Sequence, residues 1–429
     1  MQHKNSLPQD QVLWYSKPTF TPPCTQNMQV EVAIIGGGMA GLCAAQEFCK
    51  QGKKVALFEK NFCGSGATGK SSGFVTPNAE LSLTDFAARF NLNVAHQIWN
   101  LISSGVKNIA DNIKQHNFSC DYQVQDALVL ANKASDLKTF HTEHDNLAKI
   151  GYQSKLYDQK NLQSYINSNQ YFGALQYPNS FSLNPYLYCQ ELKTLLLSQS
   201  VAIFEQTPVT QMCDHTLTTP HARITADLIV VCIDKDFPDL HLLTDDVFHA
   251  QTFVLASAPL TDQQVHQIFP FGNLMAWDSQ LIYNYFRMTQ NNRLILGGGD
   301  IFTSYANSPT HNYHRITRKL SDYFLHYFPQ IDLEFEYQWS GLIGLSKDIA
   351  PMIGRDKNCP HIYYVTAATG LAIAAALGTY SAQHLLNDRN DMDEYFSPYR
   401  KFPIGGCTQT ILGTKMSFIL SNLIKLNIP

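Results

Sequence analysis

Charge is scarce in this sequence. Only 15% of its 429 residues are Asp, Glu, Lys or Arg, and the formal net charge is -4. No basic field for nucleic acid exists, and no block of like charge for an anionic membrane surface. Long hydrophobic runs are also missing, since the most apolar stretches, 32–45 and 363–378, are too short or too rich in glycine to span a bilayer. Ten cysteines are scattered without a C-x-x-C pair and without a histidine partner at metal-ligand spacing. That argues against a zinc site and against a disulfide framework, and reduced thiols in a cytosol are expected. Met1-Gln-His-Lys-Asn has no apolar core behind a basic start, so no signal peptide is expected. What is present, 45% hydrophobic residues over this length, suits a globular protein with room for a cofactor unit and a substrate unit.

Residues 1–28 hold four prolines and little periodicity, which predicts an extended arm. From Gln29 the pattern sharpens. "VEVAII" reads as a buried strand, three glycines follow, "MAGLCAAQEFCKQ" reads as a helix ended by Gly52, and "KKVALFE" as a second strand: a βαβ unit. Apolar positions Val94, Ile98, Leu101, Ile102, Val106, Ile109 and Ile113 predict a long amphipathic helix over 92–117. "DALVLAN" predicts a strand, Asn184-Pro185 the start of a helix, and "VAIFEQTPVTQM" and "ADLIVVCID" two more strands. Strands are expected at 252–256, 281–287 and 293–297, and a helix at about 313–327 before Pro329. "HIYYVTAATGLAIAAALGTYSAQHLL" repeats the strand, glycine and small-residue helix order of the N-terminal unit.

Two phosphate motifs compete. Gly64-Ser-Gly-Ala-Thr-Gly69-Lys70-Ser71 satisfies the triphosphate-loop pattern G-x-x-x-x-G-K-[ST]. Such a loop needs a helix that starts at its Gly-Lys-Ser end, and the sequence continues Ser-Gly-Phe-Val-Thr-Pro, with Gly73 and Pro77 against helix. "LIVVCID", ending at Asp234, resembles a magnesium-binding strand, but any buried parallel strand before a loop aspartate gives the same string. The rival, Gly36-Gly-Gly38-Met39-Ala40-Gly41, follows a strand and opens a helix, and Glu59 closes the second strand with Lys60 beside it. Gly36 permits the tight turn, Gly38 lets a pyrophosphate approach the backbone, Gly41 lets the helix pack close, and Glu59 can accept from ribose hydroxyls. An adenine dinucleotide is therefore expected. An NTPase remains the remote alternative.

From here the chain resembles the D-amino-acid-oxidase-like family of FAD-dependent oxidoreductases, in particular its branch of glycine, sarcosine and gamma-glutamylputrescine oxidases. Gly66-Ala67-Thr68-Gly69-Lys70-Ser71-Ser72-Gly73 aligns with that branch's loop of the type G-A-S-G-R-N-G-G, which runs along the pyrophosphate and the flavin ring. "SFSLNPYLYCQEL" and "QTPVTQ" look like the segments that lead to the adenine, with Val209 meeting it. "YNYFRMTQNNRLILGGGD" looks like the paired substrate-domain strands. In "FPQIDLEFEYQWSGLIGLSKDIAPMIG", Trp339, Gly341, Asp348, Pro351 and Gly354 stand at family positions. "AATGLAIAAALG" corresponds to an S-G-H-G-type turn, which would set Thr369, Gly370, Leu371 and Ala372 beside the ring. Departures are Lys70 for arginine, Ser71-Ser72 for Asn-Gly, and Leu371-Ala372 for His-Gly.

The resemblance implies an α/β protein. A Rossmann-like FAD-binding domain (29–95, 181–245, 339–390) would be joined to an antiparallel-sheet substrate domain (96–180, 246–338), with an arm (1–28) and a tail (391–429). It implies noncovalent FAD, since no cysteine or histidine falls at an attachment position. It also implies oxidation of a C–N bond of a small amine or amino acid, with electrons passing to oxygen as hydrogen peroxide or to another acceptor; an FAD-binding protein with little turnover is the alternative that the changed ring-side residues leave open. Tyr285 and Arg287 are the leading substrate contacts. Arg287 would either grip a carboxylate or brace the sheet, Tyr283 and Trp339 would wall the site or fill the core, and Lys70 would assist oxygen reduction or pair with phosphate. "EYQWSG" lacks the arginine of several amino-acid oxidases, which favours a secondary amine or a polyamine derivative. Leu412, Met416, Ile419, Leu420 and Leu423 share one helical face flanked by Lys415 and Lys425, so the tail packs on the protein or contacts a membrane from the side, the second case suiting a quinone-reducing dehydrogenase.

Overall fold

We describe a computed structural model of the chain, covering residues 10–425 apart from 235–239, 241, 244, 300–303 and 305–312, and without the side chains of 423–425. Residues 1–9 of the expected arm, and the side chains of Leu423 and Lys425, lie outside the described residues.

The buried runs of the N-terminal unit become Met28–Ile35, the helix Met39–Lys50 and Val55–Phe58. Met28–Ile35 pairs in parallel with Val55–Phe58 on one side and with Arg223–Val231 on the other, the register Ile35 to Phe58 and to Val231 setting all three ends level. Ala202–Phe204 extends the sheet beyond Val55–Phe58. Along its free edge, Arg223–Val231 carries two short strands in succession: Thr216–Thr218, antiparallel, then Ile362–Thr366, parallel. One face of this sheet is covered by three helices that touch backbone to backbone. A Cβ at Gly378 of Leu371–Asn387 would fall 2.1 Å from Ala40 O, and one at Gly105 of Leu92–His116 would fall 1.9 Å from Ala372 O. The long helix Leu92–His116 therefore packs against the cofactor side of the molecule. It is capped by Asn91, which accepts from Val94 N, and ended by Asn117 in the left-handed region.

The second sheet runs in the order Phe335–Ser346, Val247–Pro259, Arg293–Gly298, Tyr285–Met288, Met275–Asp278, Ala127–Leu130, Gly173–Tyr177 and Lys155–Asp158. Its own core lies under the helix Tyr313–Tyr327, where Phe286, Leu320, Phe324 and Phe328 are fully buried. Phe335–Ser346 crosses the expected boundary at 338/339 as one unbroken strand, because Val247–Pro259 pairs with it along its whole length. Residues 281–284 are not strand as expected. Asp278 takes the Asn284 N–H and side-chain amide for its carboxylate and turns the chain into a loop first.

Two tails differ from expectation in detail. The arm is extended, and it is anchored: Val12 and Trp14 are buried against Tyr186 and Trp339, and Thr21 N–H donates to Glu205 at 2.8 Å. At the other end, Gly413 splits the expected helix into Cys407–Leu412 and Thr414–Lys425. The second helix docks through Phe418 on Phe248 and through Asn422 Nδ2 on Lys347 O, while Ile411, Leu412 and Met416 stay exposed. All ten cysteines are free. No helix among the described residues is long and apolar enough to cross a membrane.

Candidate functional site

A cavity of about 1540 Å³ begins at the C-terminal ends of Met28–Ile35 and Val55–Phe58 and runs between the two sheets. At its first end Gly36, at φ +105°, turns so tightly that a Cβ would lie 2.3 Å from Cys232 O. One at Gly41 would lie 1.9 Å from Gly36 O. Both glycines are demanded by packing; Gly36 also lines the cavity with Gly38, Met39 and Ala40, and Gly41 does not. Glu59 lines it too, its carboxylate accepting from Gly37 N and Asn61 N at 2.8 Å each. Burial raises its pKa against the lowering effect of those donors. Lys60, Thr207, Pro208 and Val209 complete this end.

The loop 61–73 forms the next wall, and its carbonyls are held one by one from outside the loop. Gln190 Nε2 donates to Cys63 O (2.7 Å), Tyr15 Oη to Ser65 O (2.8 Å), Trp339 Nε1 to Lys70 O (2.8 Å), Trp14 Nε1 to Ser71 O (2.8 Å) and Arg287 Nε to Ser72 O (2.6 Å). Beneath it the wholly buried Glu205 accepts from Cys63 N and from Lys193 Nζ, which also donates to Thr19 O. Gly66, Ala67, Thr68, Lys70, Ser71 and Ser72 face the cavity. Opposite them the helix Leu371–Asn387 begins. Thr369, Gly370, Leu371 and Ala372 line the cavity, so the first-turn N–H groups and the positive end of the helix dipole point into it.

The far end is aromatic and acidic. Phe74, Tyr285, Tyr283, Trp277 and Tyr177 line it, with Phe74 edge-on to Tyr285 at 5.8 Å and Tyr177 stacked on Trp277 at 6.0 Å. Glu80 opens onto the cavity, and Tyr283 Oη donates to it at 2.9 Å. The surrounding protein raises the Glu80 pKa while this hydrogen bond lowers it, the net direction being up. Burial and the Glu80 charge push the Tyr283 hydroxyl well above its ordinary value, so it stays protonated.

Residues 31–384 match the family described as FAD dependent oxidoreductase. The chain belongs to that family. The oxidoreductase is 28% identical over 380 residues to a probable oxidoreductase, OrdL, of Haemophilus influenzae, covering 86% of this chain and 85% of that one. It is 26% identical over 407 residues to the gamma-glutamylputrescine oxidoreductase of Escherichia coli, covering 91% and 92%. Among solved structures, an L-proline dehydrogenase from P. horikoshii (TM-score 0.75, 19% identity, 87% of this chain and 98% of that chain) and a glycine oxidase from Geobacillus kaustophilus (TM-score 0.71, 17% identity, 87% and 99%) share the fold.

FAD is the cofactor of this oxidoreductase, and its residues fit the group. Ser71 Oγ and Thr366 Oγ1 are buried at the cavity wall without a protein partner, nothing lies within 4 Å of where a Gly66 Cβ would stand, and the volume exceeds that of ordinary small-molecule pockets. Among the described lining residues there is no histidine, and the single cysteine, Cys232, sits beside Gly36 at the dinucleotide end.

Three expectations change. Gly69 and Gly73 do not line the cavity: a Cβ at Gly69 would meet Gly64 O at 2.0 Å and one at Gly73 would meet Leu183 O at 2.0 Å, so protein packing demands them. Arg287 stands behind the loop, 2% exposed, donating to Ser72 O, Leu183 O, Ser182 Oγ and Met288 O, so it braces the backbone and does not reach a substrate. Burial lowers its pKa to about 9, which leaves it a cation at neutral pH. Trp339 is fully buried and supports Lys70 from behind, whereas Tyr283, Tyr285 and Gly341 line the cavity as expected of site residues. The triphosphate alternative fails on its helix. The single helical turn, Ala67–Lys70, precedes Ser71, and Phe74–Val75 is strand.

The sequence reading missed Glu80, Phe74 and Trp277, whose positions depend on folding of the substrate sheet over the loop. It gave Asp348 no partners, yet the structure sets it, 2% exposed, between Arg89 and Arg400 at the cavity edge.

Proposed function

We propose that this oxidoreductase oxidises a C–N bond of an amine that carries a second, cationic nitrogen, a polyamine derivative, and passes the electrons to oxygen as hydrogen peroxide. The observation that carries this is the far end of the cavity. A carboxylate, Glu80, accepts from Tyr283 at the end that Tyr285, Phe74 and Trp277 also line, while Arg287 is turned away and Arg89 pairs with Asp348 through Nη2, its Nη1 buried without a partner. A carboxylate beside aromatic side chains suits an ammonium group. An α-amino acid would have to use Arg89 Nη1 instead. Bound FAD supplies the acceptor for the hydride leaving the carbon, and the substrate nitrogen loses a proton, leaving an imine that water converts to a carbonyl compound and an amine. The residues orient the reacting nitrogen in its neutral form by gripping the distant charge. At the reacting end the first turn of Leu371–Asn387 stabilises negative charge and Lys70 adds a cation on the loop side, while Tyr285 walls the path toward Glu80.

Anaerobic bleaching of the flavin across monoamines, diamines, N-acylated diamines and α-amino acids tests the reading. Bleaching by α-amino acids alone would end it. Glu80→Gln is expected to raise KM for a diamine about tenfold, roughly 1.4 kcal/mol, with kcat little changed, because the contact binds ground and transition states alike. The grip requires ionised Glu80. KM should therefore climb as pH falls through the Glu80 pKa, and the glutamine variant should flatten that limb.

A second reading, a dehydrogenase delivering electrons to a membrane quinone, is favoured by the exposure of Ile411, Leu412 and Met416 on the C-terminal helices. Peroxide formed in equal amount to substrate consumed in aerobic buffer would remove it.

A further inference from the structure

Away from the flavin cavity, the edge of Arg223–Val231 shows an unusual seam. Thr216–Thr218 pairs along residues 223–225 and Ile362–Thr366 along 229–231, so two short strands abut end to end on one edge. The residues that meet at the junction are both histidines. Ala226 N donates to His215 O and Ile229 N to His361 O, each at 2.9 Å, and the two imidazoles stack with centroids 3.7 Å apart and planes 17° from parallel.

Their protonation is fixed on one side. His215 Nδ1 lies 2.8 Å from Ala226 O, and a carbonyl oxygen only accepts, so Nδ1 carries the proton and Nε2 keeps its lone pair. A backbone carbonyl in this position is the usual orienting partner of a metal-bound imidazole. His361 Nε2 is buried without a hydrogen-bond partner, and Asp214 Oδ1 stands 3.7 Å from it. One ligand atom from each of Asp214, His215 and His361 lies within 4.8 Å of the others. In a zinc tetrahedron with bonds of about 2.1 Å the donors stand roughly 3.4 Å apart, so the set closes when the His361 ring turns out of its stack with His215, whose own ring Ala226 O holds. Thiols are present too. Each histidine ends a Cys-x-His triplet, Cys213-Asp214-His215 and Cys359-Pro360-His361.

We propose that Asp214, His215 and His361 form a divalent-cation site matched to Zn2+, with water completing the coordination, that staples the hairpin 211–218 to the strand Ile362–Thr366. Two imidazoles with one carboxylate select zinc over magnesium or calcium, which take oxygen ligands alone. The staple is separate from catalysis. None of these residues lines the cavity, and Ala226 lies upstream of Val231 on the same strand by roughly 17 Å at about 3.3 Å per residue.

The test uses the full-length FAD-loaded protein, stripped with chelator and titrated with Zn2+ against a chromophoric competitor. One equivalent of zinc should bind and raise the Tm. His215→Asn with His361→Asn should weaken binding by about 100-fold and abolish the Tm rise, with the flavin spectrum unchanged as the check on folding. Affinity should fall as pH drops, because protons compete with the metal for the ligand atoms. The proposal is overturned if the unmodified protein takes up no zinc, if the double variant binds it equally well, or if Cys213→Ser with Cys359→Ser abolishes binding while the histidine variant retains it.

Discussion

The molecule has two glycine-rich loops on one cavity, and they are built in opposite ways. The first, 36–41, is determined by the strand and helix it joins and by the strand alongside: Gly41 is forced by Gly36 O, and Gly36 by Cys232 O. The second, 61–73, has one local element, the turn Ala67–Lys70 with Gly69 forced by Gly64 O, and is otherwise braced from a distance. Its carbonyls are held by Trp14, Tyr15, Gln190, Arg287 and Trp339, side chains drawn from the arm, a helix and the second sheet. The difference teaches that a motif of letters specifies a ligand only where the chain around it also specifies the backbone. The triphosphate pattern was complete in the second loop, yet the backbone there obeys five distant donors.

Arg287→Leu should break the contrast most severely. It removes the donor for Ser72 O, Leu183 O and Met288 O inside the protein, with an expected loss of about 3–5 kcal/mol in denaturant unfolding and with release of FAD. Gly36→Ala is next. A Cβ at φ +105° and 2.3 Å from Cys232 O should cost about 2–3 kcal/mol and abolish tight FAD binding, measured by flavin retention on gel filtration. Gly66→Ala should have the smallest effect on folding, under about 0.5 kcal/mol, because φ is -85° and nothing within 4 Å opposes the methyl group. Its FAD affinity should nevertheless fall. A variant that unfolded with Gly66→Ala, or kept full FAD affinity, would erase the distinction between glycines required by protein and glycines required by cofactor.

Local regularity explains what was readable beforehand. The βαβ unit, the Asn184 cap with Pro185, and the helix Tyr313–Tyr327 each declare themselves within a few turns of chain, so the cofactor sheet and its dinucleotide end could be drawn from sequence. Glu80 and Arg287 could not be assigned because their roles depend on which face of a sheet meets a loop more than a hundred residues away. Arg287 in "YNYFRM" carries no mark that its guanidinium points at backbone, and Glu80 sits in an irregular stretch without periodicity. Cys-x-His twice in the chain is a weak signal alone. It gains meaning only when two strand ends meet.

The anchored arm bears on the order of events in synthesis. Residues 10–21 are made before any of these partners: Thr19 and Thr21 wait for Lys193 and Glu205, and Gln11 N–H donates to Gln338 O. Trp14 cannot take its place against Trp339 until the strand Phe335–Ser346 has been made. Such contacts close long loops and form late because their entropy cost is met only once both sheets exist. The arm is thus among the last parts to be fastened, and flavin capture becomes a report that the two sheets have come together.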